Sequence, residues 1–238
     1  MPAKPNDPER HFKQELFSHL ARIGKVLGSH NRLELLELIA QGERTVENLA
    51  QVSGLSIANA SQHLLRLKNA GLVISRKEGL NVHYRLSTPD VVDLICALRG
   101  IAQSQLAEVD LLIKGHLTHK DQLEPVSHHE LMRRVEHNEI TLIDVRPKDE
   151  FAAGHLPSAI NIPSEEIDEY LDTFDSNKDI VAYCRGPYCI LAYNAVARLR
   201  DHGLQAYRLE DGYPEWASAG LPVQIKNSMV TFRRSAPS

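Results

Sequence analysis

The segment Ile180–Ala192, IVAYCRGPYCILA, decides how the second half of the chain is read. Ile180-Val181-Ala182-Tyr183 is a short apolar run with strand character. It ends at Cys184. Gly186-Pro187 marks a turn. From Ile190 to Leu199 the apolar residues recur at helical spacing. A cysteine therefore stands where a strand turns into a helix. Backbone N–H groups at a helix N-terminus converge and carry partial positive charge, which lowers a thiol's pKa and holds an anionic adduct on its sulfur. The expectation is a thiolate nucleophile at Cys184, in a loop completed by Arg185, Gly186, Pro187, Tyr188 and Cys189.

Working outward, Ser127–Asn138 reads as a helix, with Ser127 as N-cap and Glu130 placed for a capping box. Ile140–Val145 follows as a buried strand. The alternation continues through Ile160-Asn161-Ile162, a helix over Glu165–Phe174, the strand before Cys184, a helix over Ile190–His202, and a strand at Ala206–Leu209. That rhythm predicts an α/β domain with a central parallel sheet. In such sheets sites form at the carboxyl ends of the strands. Cys184 lies at one.

The 238 residues suffice for about two domains. Net charge is −4, so composition alone gives no nucleic-acid signature, but the charge is uneven. Met1–Lys114 carries 14 Lys and Arg against 12 Asp and Glu, and the remainder 13 against 19, an asymmetry that points to two functions. Three cysteines, Cys96, Cys184 and Cys189, are too few for a secreted disulfide scaffold. MPAKPNDPER has no apolar targeting core, and no run is long enough to span a bilayer. A soluble cytoplasmic protein without membrane contact is expected.

The first half reads as mainly α. Phe12, Leu16, Leu20, Ile23 and Leu27 form a helical stripe over His11–Leu27. Asn31 is placed to cap Arg32–Gln41, Thr45 to cap Val46–Val52, and Ser56 to cap Ile57–Ala70. A short helix, a glycine turn at Ser53-Gly54 and a longer helix make helix-turn-helix spacing. Leu72–Arg76 and Val82–Leu86 then read as a hairpin joined by Lys77–Asn81, a wing. Between Arg66 and Arg85 stand five basic residues (Arg66, Lys68, Arg76, Lys77, Arg85) and one acid, Glu78. Basic charge thus gathers on the elements that would approach DNA. Asp90–Leu117 is expected as one long fifth helix. Its apolar surface exceeds the need of one small domain, so a homodimer through the first and fifth helices is expected. The boundaries read as 1–115 for the DNA-binding and dimerisation domain, a polar linker at 116–126, and a second domain over 127–238, with its core at 127–225.

LSIANASQHLLRLKNAGLVISRKEGLNVHYRL resembles the winged helix of the ArsR family of bacterial repressors, over about residues 10–115. The resemblance implies operator DNA as partner, bound by a homodimer with the second helix of the pair in the major groove. Ser56, Asn59, Ser61, Gln62, His63 and Arg66 then fall at the DNA, with Gln and Asn suited to adenine. Arg76, Lys77, His83 and Arg85 fall at the backbone or minor groove. Metal-sensing members carry cysteines on the third helix. Val46-Glu47-Asn48-Leu49-Ala50 has none, so no metal is expected. Some thiol-sensing relatives carry a reactive cysteine on the long helix, where Cys96 lies. A lone cysteine on an apolar helix face is most often a packed residue, and both readings of Cys96 stand.

LIDVRPKDEFAAGHLPSAINIP, YCRGPYC and LEDGYPEWASAGLPV together are similar to the rhodanese domain in order and spacing, over about residues 127–225. The resemblance implies sulfur carried as a persulfide on Cys184, the catalytic residue, cradled by the backbone of Arg185 to Cys189. Asp144, Arg146, Glu150 and His155 match its framework block and are expected to support the loop. Arg185 is placed to attract an anionic donor such as thiosulfate. The related phosphatase loop needs Arg at position 190. Ile190 stands there, against phosphoryl chemistry. Cys189 reads either as a small buried residue or as a thiol that resolves the persulfide.

Three functions follow. The first is a DNA-binding repressor whose rhodanese domain senses or transfers reactive sulfur on Cys184. The second is a sulfurtransferase enzyme that uses its winged helix for autoregulation. The third, an arsenite or soft-metal sensor, needs Cys96, Cys184 and Cys189 to converge. No cofactor is expected.

Overall fold

A computed structural model describes residues 8–118, 125–225 and 228–231. The chain divides into two compact units, Met1–Thr88 and Pro89–Ser238. The long helix that sequence assigned to the first domain thus lies in the second unit.

The first unit runs α1 (Pro8–Leu27), α2 (His30–Ala40), β1 (Arg44–Thr45), α3 (Val46–Ser53), α4 (Ile57–Asn69), β2 (Val73–Glu78) and β3 (Asn81–Leu86). Two of the expected caps form. Thr45 Oγ1 accepts the Asn48 N–H and Ser56 Oγ the Asn59 N–H, each at 3.2 Å, satisfying donors that a helix start leaves without an internal partner. Gly54 closes α3 at φ +68°, a left-handed position that glycine occupies without penalty. The third cap differs. α2 begins behind Ser29, whose extended backbone opens the helix, and Asn31 lies inside it with its amide 3.5 Å from His63. Leu35, Leu36, Ile39, Leu49, Leu64 and Leu67 fill the interior.

The wing is longer than expected. β2 and β3 pair in register from Val73↔Leu86 to Glu78↔Asn81, which leaves a two-residue turn of Gly79 and Leu80. β1 adds an edge through Arg44↔Tyr84, too short to be read from alternation. α1 has no buried residue, and Phe12, Leu16, Phe17 and Leu20 are exposed.

The second unit opens with α5 (Asp90–Gln105), α6 (Ala107–Ile113) and a π-helical turn over Lys114–Thr118. The single helix expected over Asp90–Leu117 is therefore broken. Leu106 is extended (φ −109°, ψ 104°), and its carbonyl starts a new ladder by accepting the Val109 and Asp110 N–H groups. The expected linker falls partly outside the described residues.

Next come α7 (His128–Glu136), β4 (Ile140–Asp144), α8 (Lys148–Ala153), β5 (Ile160–Asn161), β6 (Asp179–Tyr183), α9 (Ile190–Asp201), β7 (Ala206–Arg208), α10 (Tyr213–Ser218) and the hairpin of β8 (Val223–Ile225) and β9 (Ser228–Val230). Ser127 caps α7 as expected, accepting the Glu130 N–H at 3.3 Å, while the Glu130 carboxylate pairs with Arg133 at 2.9 Å. The helix expected over Glu165–Phe174 is replaced by two 3₁₀ turns, Ile167–Glu169 and Leu171–Thr173. The Thr173 hydroxyl donates to the Tyr170 carbonyl at 2.6 Å, a local bond that competes with the α ladder.

The sheet is parallel, in the order β5-β4-β6-β7. Asp144 pairs with Tyr183 at the ends of the two central strands, so the residues after each emerge at one rim. Alternation divides β6 between two cores. Ile180, Ala182 and Cys184 pack with Val196 and Leu199; Val181 and Tyr183 pack with Leu209 and Trp216.

Candidate functional site

The rim loop Cys184–Cys189 joins β6 to α9. Cys184 continues the strand's alternation onto the α9 face and is only 2% exposed. Its sulfur is bonded to that of Cys189, five residues on, with the two Cα atoms 6.2 Å apart, inside the span a disulfide requires. The free thiolate expected at Cys184 is therefore replaced by a disulfide. The helix starts at Ile190, as expected. Cys189, partly exposed, is the N-cap of α9. Its N–H donates to the Gly186 carbonyl at 3.1 Å, and Pro187 has no N–H. That leaves at most the amides of Arg185, Gly186 and Tyr188 in the loop, with Ile190 beyond it, for an anionic sulfur. The Tyr193 hydroxyl ties down the Pro187 carbonyl at 3.3 Å.

Arg185 does not stand open to an anion. Its Nη2 donates to Glu150 Oε1 at 2.6 Å, and its Nε to both carboxylate oxygens at 3.0 Å. Glu150 is 1% exposed, so this carboxylate holds the guanidinium with little water to compete. Asp144 and Arg146 form a second pair, wholly buried, at 2.6 Å. Arg146 also donates to the Gly154 carbonyl at 2.8 Å and lies over the Tyr183 and Tyr213 rings. The Asn161 amide bonds the carbonyls of Asp144 and Arg146 at 3.0 and 2.9 Å. These residues pair and bond at the rim from which the loop emerges. His155 stacks on Phe151 and contacts its carbonyl at 2.9 Å.

Sequence reasoning missed the other wall of the loop. The Tyr213 N–H donates to the Cys184 carbonyl at 3.1 Å. A Cβ on Gly212 would meet Gly186 N at 2.3 Å and the Cys184 carbonyl oxygen at 2.5 Å, so only glycine permits this approach. The Gly212 N–H donates to Glu215 Oε2 at 3.2 Å. Glu215 pairs with Arg99 of α5 at 3.0 Å and accepts from Cys96 Sγ at 3.7 Å. The Tyr188 hydroxyl donates to Gln103 at 2.7 Å, and Arg99 lies over the Tyr188 ring. The loop is thus fastened directly to α5 at Tyr188, and its Gly186 packs on Gly212, which Glu215 links to Arg99 of α5. The signal was present in the block LEDGYPEW, but the α5 partners of its Glu215 lie more than a hundred residues earlier. Burial, then the Glu215 carboxylate, pushes the Cys96 thiol up to about 12. That shift favours the neutral thiol and the packed reading of Cys96.

In the first unit, Ser56, Asn59, Gln62 and Arg66 are exposed on α4 and Ser61 is half-buried. His63 turns inward to Asn31, and burial lowers its pKa. On the wing Lys77 and Arg85 are exposed. Arg76 is paired with Glu43 at 2.6 Å and with Glu78, which raises its pKa further and makes it a weaker candidate for phosphate than sequence implied. Among the described residues no three His, Cys, Asp or Glu side chains gather as a metal site, so the three cysteines do not converge there.

Two family models match the chain: "Bacterial regulatory protein, arsR family" over residues 29–75 and "Rhodanese-like domain" over 127–219. An HTH-type transcriptional regulator of Mycobacterium tuberculosis is 44% identical over 211 residues, covering 89% of this chain and 92% of that protein. A sulfurtransferase of Allochromatium vinosum is 30% identical over 92 residues, 38% of this chain and 84% of that one. A homodimeric winged helix-turn-helix DNA-binding domain from Mycobacterium bovis is 38% identical at a TM-score of 0.39, covering 44% of this chain and 93% of that structure. The chain belongs to the ArsR family of winged helix-turn-helix transcriptional regulators and carries a rhodanese-like domain behind its DNA-binding half.

Proposed function

We propose that this regulator is a cytoplasmic homodimeric repressor that takes a sulfane sulfur onto Cys184, and that the sulfur state of the loop sets its affinity for operator DNA. One observation carries the reading: Cys184 stands at the sheet rim bonded to a second loop cysteine, in a loop fastened at Tyr188 to α5. Coupling requires that the sulfur states differ in operator affinity, since a state that binds DNA no differently shifts nothing. The dimer is supported by apolar side chains left in solvent: Phe12, Phe17 and Leu20 on α1, and Ile101, Leu111 and Leu112 on α5 and α6. The test is operator binding by gel shift, comparing the reduced protein, the protein loaded by thiosulfate or polysulfide, and Cys184→Ser. The reading requires loading to change the wild-type affinity and to leave Cys184→Ser unchanged; equal affinity in all three forms removes it.

The likeness to a sulfurtransferase favours a second reading, turnover enzyme first. Sustained conversion of thiosulfate with cyanide or a thiol supports that reading. A single stoichiometric loading supports the sensor.

A further inference from the structure

The loop contains a second sulfur whose position fits a definite chemical step. Cys189 is bonded to Cys184, lies at the solvent side of the pair, and is the N-cap of the 12-residue α9. A thiolate at a helix N-terminus is stabilised by the unpaired N–H groups, so the reduced Cys189 is a competent nucleophile. Cys184, by contrast, is 2% exposed while the bond is closed. We propose that Cys189 is the resolving thiol of the sulfur loop, converting a persulfide on Cys184 into the Cys184–Cys189 disulfide with release of hydrosulfide. The inference rests on the reading that Cys184 accepts sulfane sulfur.

The atoms balance without an added oxidant. The Cys184 thiolate attacks the outer sulfur of thiosulfate, the thiosulfate S–S bond breaks, and sulfite leaves with the electron pair. The Cys189 thiolate then attacks Cys184 Sγ. The bond from Sγ to the sulfane sulfur breaks, and that sulfur leaves as hydrosulfide after taking a proton. The two cysteine sulfurs are oxidised to the disulfide and the sulfane sulfur is reduced to sulfide. Exchange with an external thiol starts at the accessible sulfur, so the incoming thiol bonds Cys189 and expels Cys184. A second thiol then frees Cys189. The closed loop hides the sulfur acceptor, so each chain accepts one sulfur and stops until it is reduced.

The experiment uses full-length protein, reduced and freed of reductant, given thiosulfate or glutathione persulfide with no other thiol acceptor. Released sulfide and intact mass after alkylation are read together. Wild type is expected to release one sulfide per chain and to lose two hydrogens. Cys189→Ser and Cys189→Ala are expected to gain one sulfur atom and to release no sulfide, and Cys96→Ser to behave as wild type. The sulfur gain itself reports that the variant loops are folded. The inference is overturned if wild type keeps the extra sulfur, if the Cys189 variants release sulfide as wild type does, or if Cys96→Ser abolishes release. If neither wild type nor the Cys189 variants take up sulfur, the reading of Cys184 falls, and this inference with it.

Discussion

Helix α4 and the loop Cys184–Cys189 both place their candidate residues at a helix start behind a turn, yet they present them in opposite ways. α4 keeps Ser56, Asn59, Gln62 and Arg66 in solvent, and only Ala60, Leu64 and Leu67 anchor it. A surface of this kind needs little construction, because a bound nucleic acid would supply the partners of its polar groups. The loop instead buries the Cys184 sulfur and is braced by ion pairs whose carboxylates are little exposed: Arg185 on Glu150, Arg146 on Asp144, Arg99 on Glu215. Substitutions should therefore damage the two regions differently. At the loop they cost stability. On α4 they cost binding.

The largest effect is expected at Asp144. Alanine there strands the buried Arg146 guanidinium, and loss of one partner of a buried pair costs about 3–5 kcal/mol. Chemical denaturation of the second unit measures it. A loss below about 1 kcal/mol would put the pair in the class of surface ion pairs and break the contrast. Arg76→Ala is the companion measurement. Its pairs with Glu43 and Glu78 are exposed, and no resolvable shift in midpoint is expected.

On α4 the expected order reverses. Gln62→Ala should lower operator affinity by about 1–3 kcal/mol and relax preference at one base position, with the denaturation midpoint unchanged. Lys77→Ala should weaken all sequences alike and reduce the salt slope by about 1. Anisotropy titrations over a range of salt separate the two. His63→Ala sharpens the comparison from within α4. It packs against Asn31, so its loss should appear in stability before it appears in base preference.

Smaller still are the caps. Ser56→Ala should cost about 1 kcal/mol, as should Thr45→Ala, while Asn31→Ala removes no cap at all. These positions also mark what was legible in the chain. Thr45, Ser56 and Ser127 could be read as caps because the bond reaches only three residues along the sequence. The parallel strands were legible for the same local reason: β6 carries the apolar run Ile180–Tyr183, and β4 is apolar at Ile140, Leu142 and Ile143. What escaped was non-local or too short. Arg185 reads as an open cation until the fold brings Glu150, 35 residues earlier, against it. Nothing near Leu106 announces that α5 ends there. Cys184 reads as a thiolate nucleophile because the turn is obvious, while its burial depends on which face of the sheet α9 covers.

The smallest expected effect belongs to Cys96, and it tests where the reactive sulfur lies. Sequence left two readings of this residue, packed or sensing. In the fold its sulfur lies beside the Glu215 carboxylate; burial first, and that carboxylate second, push the thiol up to about 12. The thiolate fraction near neutral pH is correspondingly small, and the thiolate is the species that reacts. Iodoacetamide should therefore label Cys96 in the folded protein negligibly at neutral pH. The rate should keep rising through the alkaline range without levelling near 9.0, the ordinary value. In denaturant the same residue should label readily and level off near that value. Mapping the adduct by peptide mass, with the Cys184–Cys189 bond intact, isolates Cys96 as the one free cysteine. Rapid neutral-pH labelling would mean that α5 leaves Glu215 readily in solution. The fastening between that helix and the sulfur loop would then be too loose to transmit the state of the loop.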